Sequence, residues 1–353
     1  MTDSFDMLVF WAVVMARFFL PLVIPRYPLP GVVAALILDG VDQTIFQLFT
    51  SLPLEGYQSY DKALDIYYLT ITYLSTMRNW TNSYAFRVGR FLFYYRLVGV
   101  VAFELTQVRA LLLVFPNTFE YFFIFYEAVR LKWDPASLTR RQVIVVTALI
   151  WIVIKLPQEY WIHVAQLDTT DLIRAYPPAA LVLAAWAAIL VMISLHMIRS
   201  FPPAKEGLAI AAESIPADTS LKEHRARQES FFNSALKEKI VFVSLLGTIF
   251  ANMLPGVRAT SLQIAIATAF IIIVNTALSQ WLARRGTHWK SIIREFIFMA
   301  FANLLTVLFY IFLLRSYEGA INLTNTLFFI LLLTLNVTLY DRYRQVYRER
   351  HLV

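Results

Sequence analysis

Apolar runs of about 20 residues follow one another from Met7 to Tyr340, and a run of that length suffices to cross the hydrocarbon core of a bilayer. Eleven such runs can be drawn, at about 7–25, 29–49, 61–77, 88–106, 109–129, 142–164, 178–198, 240–255, 261–282, 296–314 and 320–340. The expected fold is therefore an all-α integral membrane protein of about 11 transmembrane helices (10–12). Composition agrees. The 353 residues are 59% hydrophobic and 16% charged, where soluble proteins carry about 25% charged residues. The mean hydropathy is +0.59.

The placement of Lys and Arg sets the orientation, because cytoplasmic loops hold the excess of them. With the N-terminus outside, 23 basic residues fall in inner segments. Only Arg109, Arg174, Arg258 and Arg315 fall outside. This bias predicts an N-out, C-in, multi-pass protein of the cytoplasmic (plasma) membrane. No cleavable signal peptide is expected, since Asp3 and Asp6 precede the first run where a basic region would stand.

Four segments follow. Residues 1–198 form an N-terminal membrane bundle that holds the ionisable groups, and 199–238 a cytoplasmic linker and surface helix. Residues 239–341 form a four-helix scaffold whose polar groups are amides such as Asn252, Asn275, Asn303 and Asn336, and 342–353 a basic tail. The stretch Ser220-Leu-Lys-Glu223 has the spacing of a helix-opening capping box. The basic tail suits anionic headgroups. Cysteine is absent, which removes disulfides and thiolate metal sites.

The densest chemistry lies between Leu36 and Tyr68. Asp39 and Asp42 are three residues apart and Asp61 and Asp65 four apart, so each pair shares one face of its helix. Carboxylates held in a membrane mark function by default, because they are costly to keep there. The four are the expected ligands of a divalent metal. Oxygen donors suit Mg, Mn or Ca, and a nearby His admits Zn. The competing reading has the aspartates capping helices and pairing with Lys62, Arg109 or Arg174, with Asp61 an acid of a first helical turn.

On the sixth run, Lys155, Glu159 and His163 are spaced four apart and make one polar stripe, with Pro157 expected to kink the helix. Lys155 and Glu159 are expected to pair. His163 and Glu159 are candidates for proton transfer or ligation, with Lys155 beside them. Glu104, Arg109, Arg17 and Arg96 are the expected substrate-binding groups. Arg17, Arg96 and Glu120 lie deep enough either to form a buried network or to hold an anionic headgroup.

Asp39-x-x-Asp42, Gly56 and Asp61-x-x-x-Asp65 resemble the metal-binding signature of the CDP-alcohol phosphotransferases over about 30 residues. Gln43 stands where that family has Gly, and Phe46-Gln47 where it has Ala-Arg. Tyr60, not Asp61, comes four after Gly56, and the family's site faces the cytoplasm. The resemblance implies that such spacing can hold metal ions. It does not assign the family.

Three functions fit. The first is a membrane enzyme acting from the outer leaflet on a lipid or lipid-linked phosphate. The second is an ion- or proton-coupled transporter or channel using the same acidic groups. The third is a non-catalytic subunit of a membrane complex. Membrane lipids, a second copy or a membrane-complex partner are the expected partners, and no nucleic acid is.

Overall fold

The computed structural model describes residues 4–51, 55–165, 207–212, 234–253, 296–305 and 323–351, with scattered positions between 176 and 192 and residue 273. These residues are 87% helical and include no strand, so the protein is all-α. Two helices among them, Ser4–Val23 and Arg140–Glu159, are long and apolar enough to cross a membrane. The expected span 261–282 and most of 178–198 lie outside the described residues. So do Arg174 and the capping box at Ser220.

The chain divides into two compact units, Met1–Trp80 with Ala211–Val353, and Thr81–Ile210. In the first unit, α1 (Ser4–Phe19) tightens into a 3₁₀ turn (Leu20–Val23). Pro21 and Pro25 follow one another there, and neither has an N–H to continue an α-helix. The second helix, α2 (Pro28–Phe49), opens on Pro28, whose missing N–H costs nothing in a first turn. Gly31 lets α2 pass close to the preceding turn: a Cβ there would sit 2.9 Å from Ile24 Cα.

The centre of this unit is α3 (Glu55–Asn79). From Ala63 to Trp80 every residue but Asp65 is buried. Its hydroxyls fit that setting because they bond back along the helix, Thr70 to Ile66 O at 2.6 Å and Thr72 to Tyr68 O at 2.9 Å.

Two further helices of the first unit contact α3. They are α9 (Ser234–Met253) and α11 (Leu323–His351). The short α10 (Phe296–Leu305) joins α11 through Asn303, whose amide donates to Thr334 at 2.8 Å. The basic stretch from Asp341 onward is the continuation of α11. Lys239 pairs with Asp341 at 2.7 Å, Arg344 pairs with Glu238, and Tyr343 and Val346 are buried.

The second unit begins at α4 (Ser83–Thr106). Asn82 caps it by accepting from the N–H groups of Tyr84 and Ala85. The expected span 109–129 is not one helix. It is α5 (Ala110–Val114) and α6 (Thr118–Lys132), separated at Phe115–Asn117. Pro116 has no N–H to bridge them, and Asn117 sits at the N-cap of α6.

A capping box of Thr139 and Gln142 opens α7 (Arg140–Leu149). The chain then passes through a π-helical segment (Ile150–Lys155), one α-helical turn, α8 (Leu156–Glu159), and a second π segment (Tyr160–Val164). The wide turns surround Pro157: Leu156 N–H reaches back to Trp151 O, and Ala165 N–H to Tyr160 O at 2.8 Å.

Gly99 on α4 is where Phe115 enters. A Cβ at this position would lie 2.1 Å from Phe115 Cβ. Gly99→Ala therefore pushes the α5–α6 break away from α4. It is expected to cost about 1–3 kcal/mol, as overpacking does, read as a fall in the thermal midpoint of the detergent-solubilised protein.

Candidate functional site

The first unit gathers the four aspartates around one arginine. Arg17 is 5% exposed on α1. Its Nη1 contacts Asp42 and Asp61, and its Nη2 contacts Asp39 and Asp65. A guanidinium has four terminal N–H bonds in a planar fork. Here each is directed to a different carboxylate, two from α2 and two from α3. The arginine thereby ties three helices at one point.

Local packing holds the fork in place. Tyr67 stacks on Phe18 with ring centroids 5.4 Å apart and donates to Phe18 O at 3.0 Å, just where α1 gives way to its 3₁₀ turn. Phe10 sits edge-on to Tyr60 at 5.5 Å. Asp6 accepts from the Ser51 hydroxyl at 2.6 Å, fixing the start of α1 to the residues just beyond α2.

Arg17 brings one positive charge to these four carboxylates. Asp42 is 1% exposed in its side chain, Asp61 19%, Asp39 36% and Asp65 48%. The three more open ones, Asp39, Asp61 and Asp65, can each offer an oxygen within 4.8 Å of the others. Oxygen ligands bind Ca²⁺ at about 2.3–2.6 Å and Mg²⁺ at about 2.0–2.1 Å, so opposite ligands of one ion stand about 4–5 Å apart. The donor set thus fits a hard divalent cation. Arg17, Leu38, Asp39, Leu64 and Tyr68 line a small cleft beside it.

Two expectations change here. Asp61 is not an acid of a first helical turn, because α3 begins at Glu55 and Asp61 comes nearly two turns later. Arg17 is not an open anion holder, since all four terminal N–H groups face carboxylates.

The second unit holds the other expected residues. At the α5–α6 break the loose backbone groups are met by side chains. Val114 O accepts from the Tyr95 hydroxyl at 2.9 Å, and Phe115 O from Arg96 at 2.9 Å. Asn117 N–H donates to Glu159 Oε1 at 3.0 Å. This is the accounting that an interrupted helix demands of its buried backbone groups.

The charges are balanced, with Arg96 3.9 Å from Glu159 and Lys155 4.0 Å from Glu120. The expected Lys155–Glu159 pair is replaced. Glu159 is drawn to the break and to Arg96, while Lys155 lies over the Tyr121 ring at 4.1 Å and faces Glu120. His163 lies on the second π segment, and its side chain is outside the described residues. Glu104 is half-buried near the end of α4 and Arg109 is exposed at the N-cap of α5.

Asn82, Asn117 and Tyr95 were not singled out from the sequence. Phe115-Pro116-Asn117-Thr118 is a breaker followed by a helix-opening pair, and that signal marks the break.

No family model, curated protein or solved structure matches this chain.

Proposed function

We propose that the chain is a polytopic enzyme of the cytoplasmic membrane, with about 11 spans, N-terminus outside and C-terminus inside. It acts at the outer-leaflet side on a lipid or lipid-linked phosphate, with a divalent metal held by Asp39, Asp61 and Asp65 and supported by Asp42. Zn, Mg, Mn and Ca are the candidate ions, and the all-oxygen donor set favours the last three. The observation that carries the reading is the convergence of four carboxylates on a single guanidinium. The metal would polarise a phosphate oxygen and orient the phosphate.

Exposed apolar side chains support the membrane setting. Leu8, Ile37 and Leu48 in the first unit and Phe91 and Ile152 in the second are more than half exposed, which suits lipid better than water. Membrane lipids are then the immediate partners, with a second copy or a membrane-complex subunit as further ones. His163, Glu159, Lys155, Arg96, Glu104 and Arg109 remain proposed contributors to proton transfer and substrate binding.

The test is headgroup or phosphate release from lipid phosphates by the purified protein in vesicles, with added Mg²⁺, Mn²⁺ or Ca²⁺ against chelator. Turnover that needs the ion and is lost in Asp61→Asn is expected. Ion flux without turnover would instead establish the transporter. One observation favours that second reading: interrupted helices such as α5–α6 are the usual site builders of secondary transporters.

A further inference from the structure

The α5–α6 break holds more polar groups than its own backbone uses. Two segments are stitched there. Asn117 N–H meets Glu159 Oε1 at 3.0 Å. Four buried polar atoms lie within two residues of the Asn117–Glu159 bond in sequence and have no hydrogen-bond partner among the described residues: Asn117 Oδ1, Thr118 Oγ1, Gln158 Oε1 and Trp161 Nε1. Thr118 is 1% exposed and begins α6. Buried groups of this kind are costly to leave unmet.

We infer that the break binds a small neutral hydrogen-bonding guest, water or the hydroxyl group of a small solute, between Asn117–Thr118 and Gln158–Trp161. Three observations select that chemistry. The unmet amide oxygens of Asn117 and Gln158 only accept, the Trp161 indole N–H only donates, and the Thr118 hydroxyl does either. A guest must therefore both donate and accept, which a hydroxyl does and a metal ion does not. The surrounding charges are two cations and two anions, so no net charge is called for. Finally, the ion pairs at 3.9 and 4.0 Å are wider than a direct hydrogen bond, a separation that invites bridging by one water. Every residue involved belongs to the second unit, so the inference stands apart from the aspartate site.

The chain has no cysteine, which gives a clean background for thiol labelling. Thr118→Cys and Gln158→Cys would be placed singly in the full chain in vesicles and exposed to a small water-soluble methanethiosulfonate. Phe122→Cys, at a fully buried apolar position of α6, is the control. Reaction at 118 and 158 on the order of tenfold faster than at 122 is expected if a guest-sized polar site is present. Equal, negligible rates at all three positions overturn the inference.

Should either variant fail to fold, hydroxyl-radical footprinting of the unaltered protein replaces it. Oxidation of Trp161 and Tyr121 well above that of Phe122 is expected, and oxidation no higher than that of Phe122 overturns the inference. Either positive result is then repeated with glycerol. Protection identifies a hydroxylated solute as an admissible guest, and lack of protection identifies water. Both outcomes support the site.

Discussion

Arg17→Met is expected to be the most damaging single change in the first unit. It removes the one guanidinium that Asp39, Asp42, Asp61 and Asp65 share. Breaking a buried ion pair from one side costs about 3–5 kcal/mol, because the partner charge is left uncompensated. Here four carboxylates lose their contact with Arg17, and the three helices lose their common tie. Arg17→Lys is expected to fall between, since an ammonium has three donors and no planar fork. The measurement is thermal unfolding followed by size-exclusion in detergent. Millimolar Mg²⁺, Mn²⁺ or Ca²⁺ is expected to restore part of the loss, because a cation at the same oxygens replaces the missing charge. A variant as stable as the parent, and indifferent to these ions, would show that the fork does not hold the helices.

Glu159→Ala is the second large effect, in the other unit. It strips the acceptor from Asn117 N–H and the counter-ion from Arg96 at the point where α5 and α6 part. With one partner of a buried charge network gone, a loss of about 3–5 kcal/mol is expected. Glu159→Gln keeps an oxygen for the Asn117 N–H and gives up the charge, so about 1 kcal/mol is expected from the weakened contacts alone. The two variants separate structural from chemical roles. If Glu159→Gln folds normally yet abolishes turnover, its carboxylate also works in proton transfer. If both variants are as stable as the parent, the break is held by something other than Glu159.

The sequence carried the helical class plainly, because apolar runs of spanning length admit few other readings. It also carried the pairing of aspartates on helix faces, since spacings of three and four fix which side chains lie together. It did not carry the role of Arg17. A lone arginine in an apolar run reveals its depth but not its azimuth, and only packing on α2 and α3 aims it at the acids. Lys155 and Glu159 were matched by spacing within one helix. The structure prefers partners across helices, because the break at Phe115–Asn117 leaves an N–H that Glu159 can meet. Pro116 stands inside an apolar run of spanning length, which hides the break. Reading Pro116-Asn117-Thr118 as a stop and a start would have found α5 and α6. Thr139-Arg-Arg-Gln142 likewise has the capping-box pattern that the structure uses.

In the proposed site, Asp39, Asp61 and Asp65, supported by Asp42, hold a divalent cation. Metal content by mass spectrometry, on purified wild type beside Asp39→Asn and Asp61→Asn, tests it most directly. One divalent ion per chain in the wild type, lost in both folded variants, is the predicted result. Wild type that carries no ion and takes up none of Mg²⁺, Mn²⁺, Ca²⁺ or Zn²⁺ when they are supplied, with both variants still folded, would contradict it.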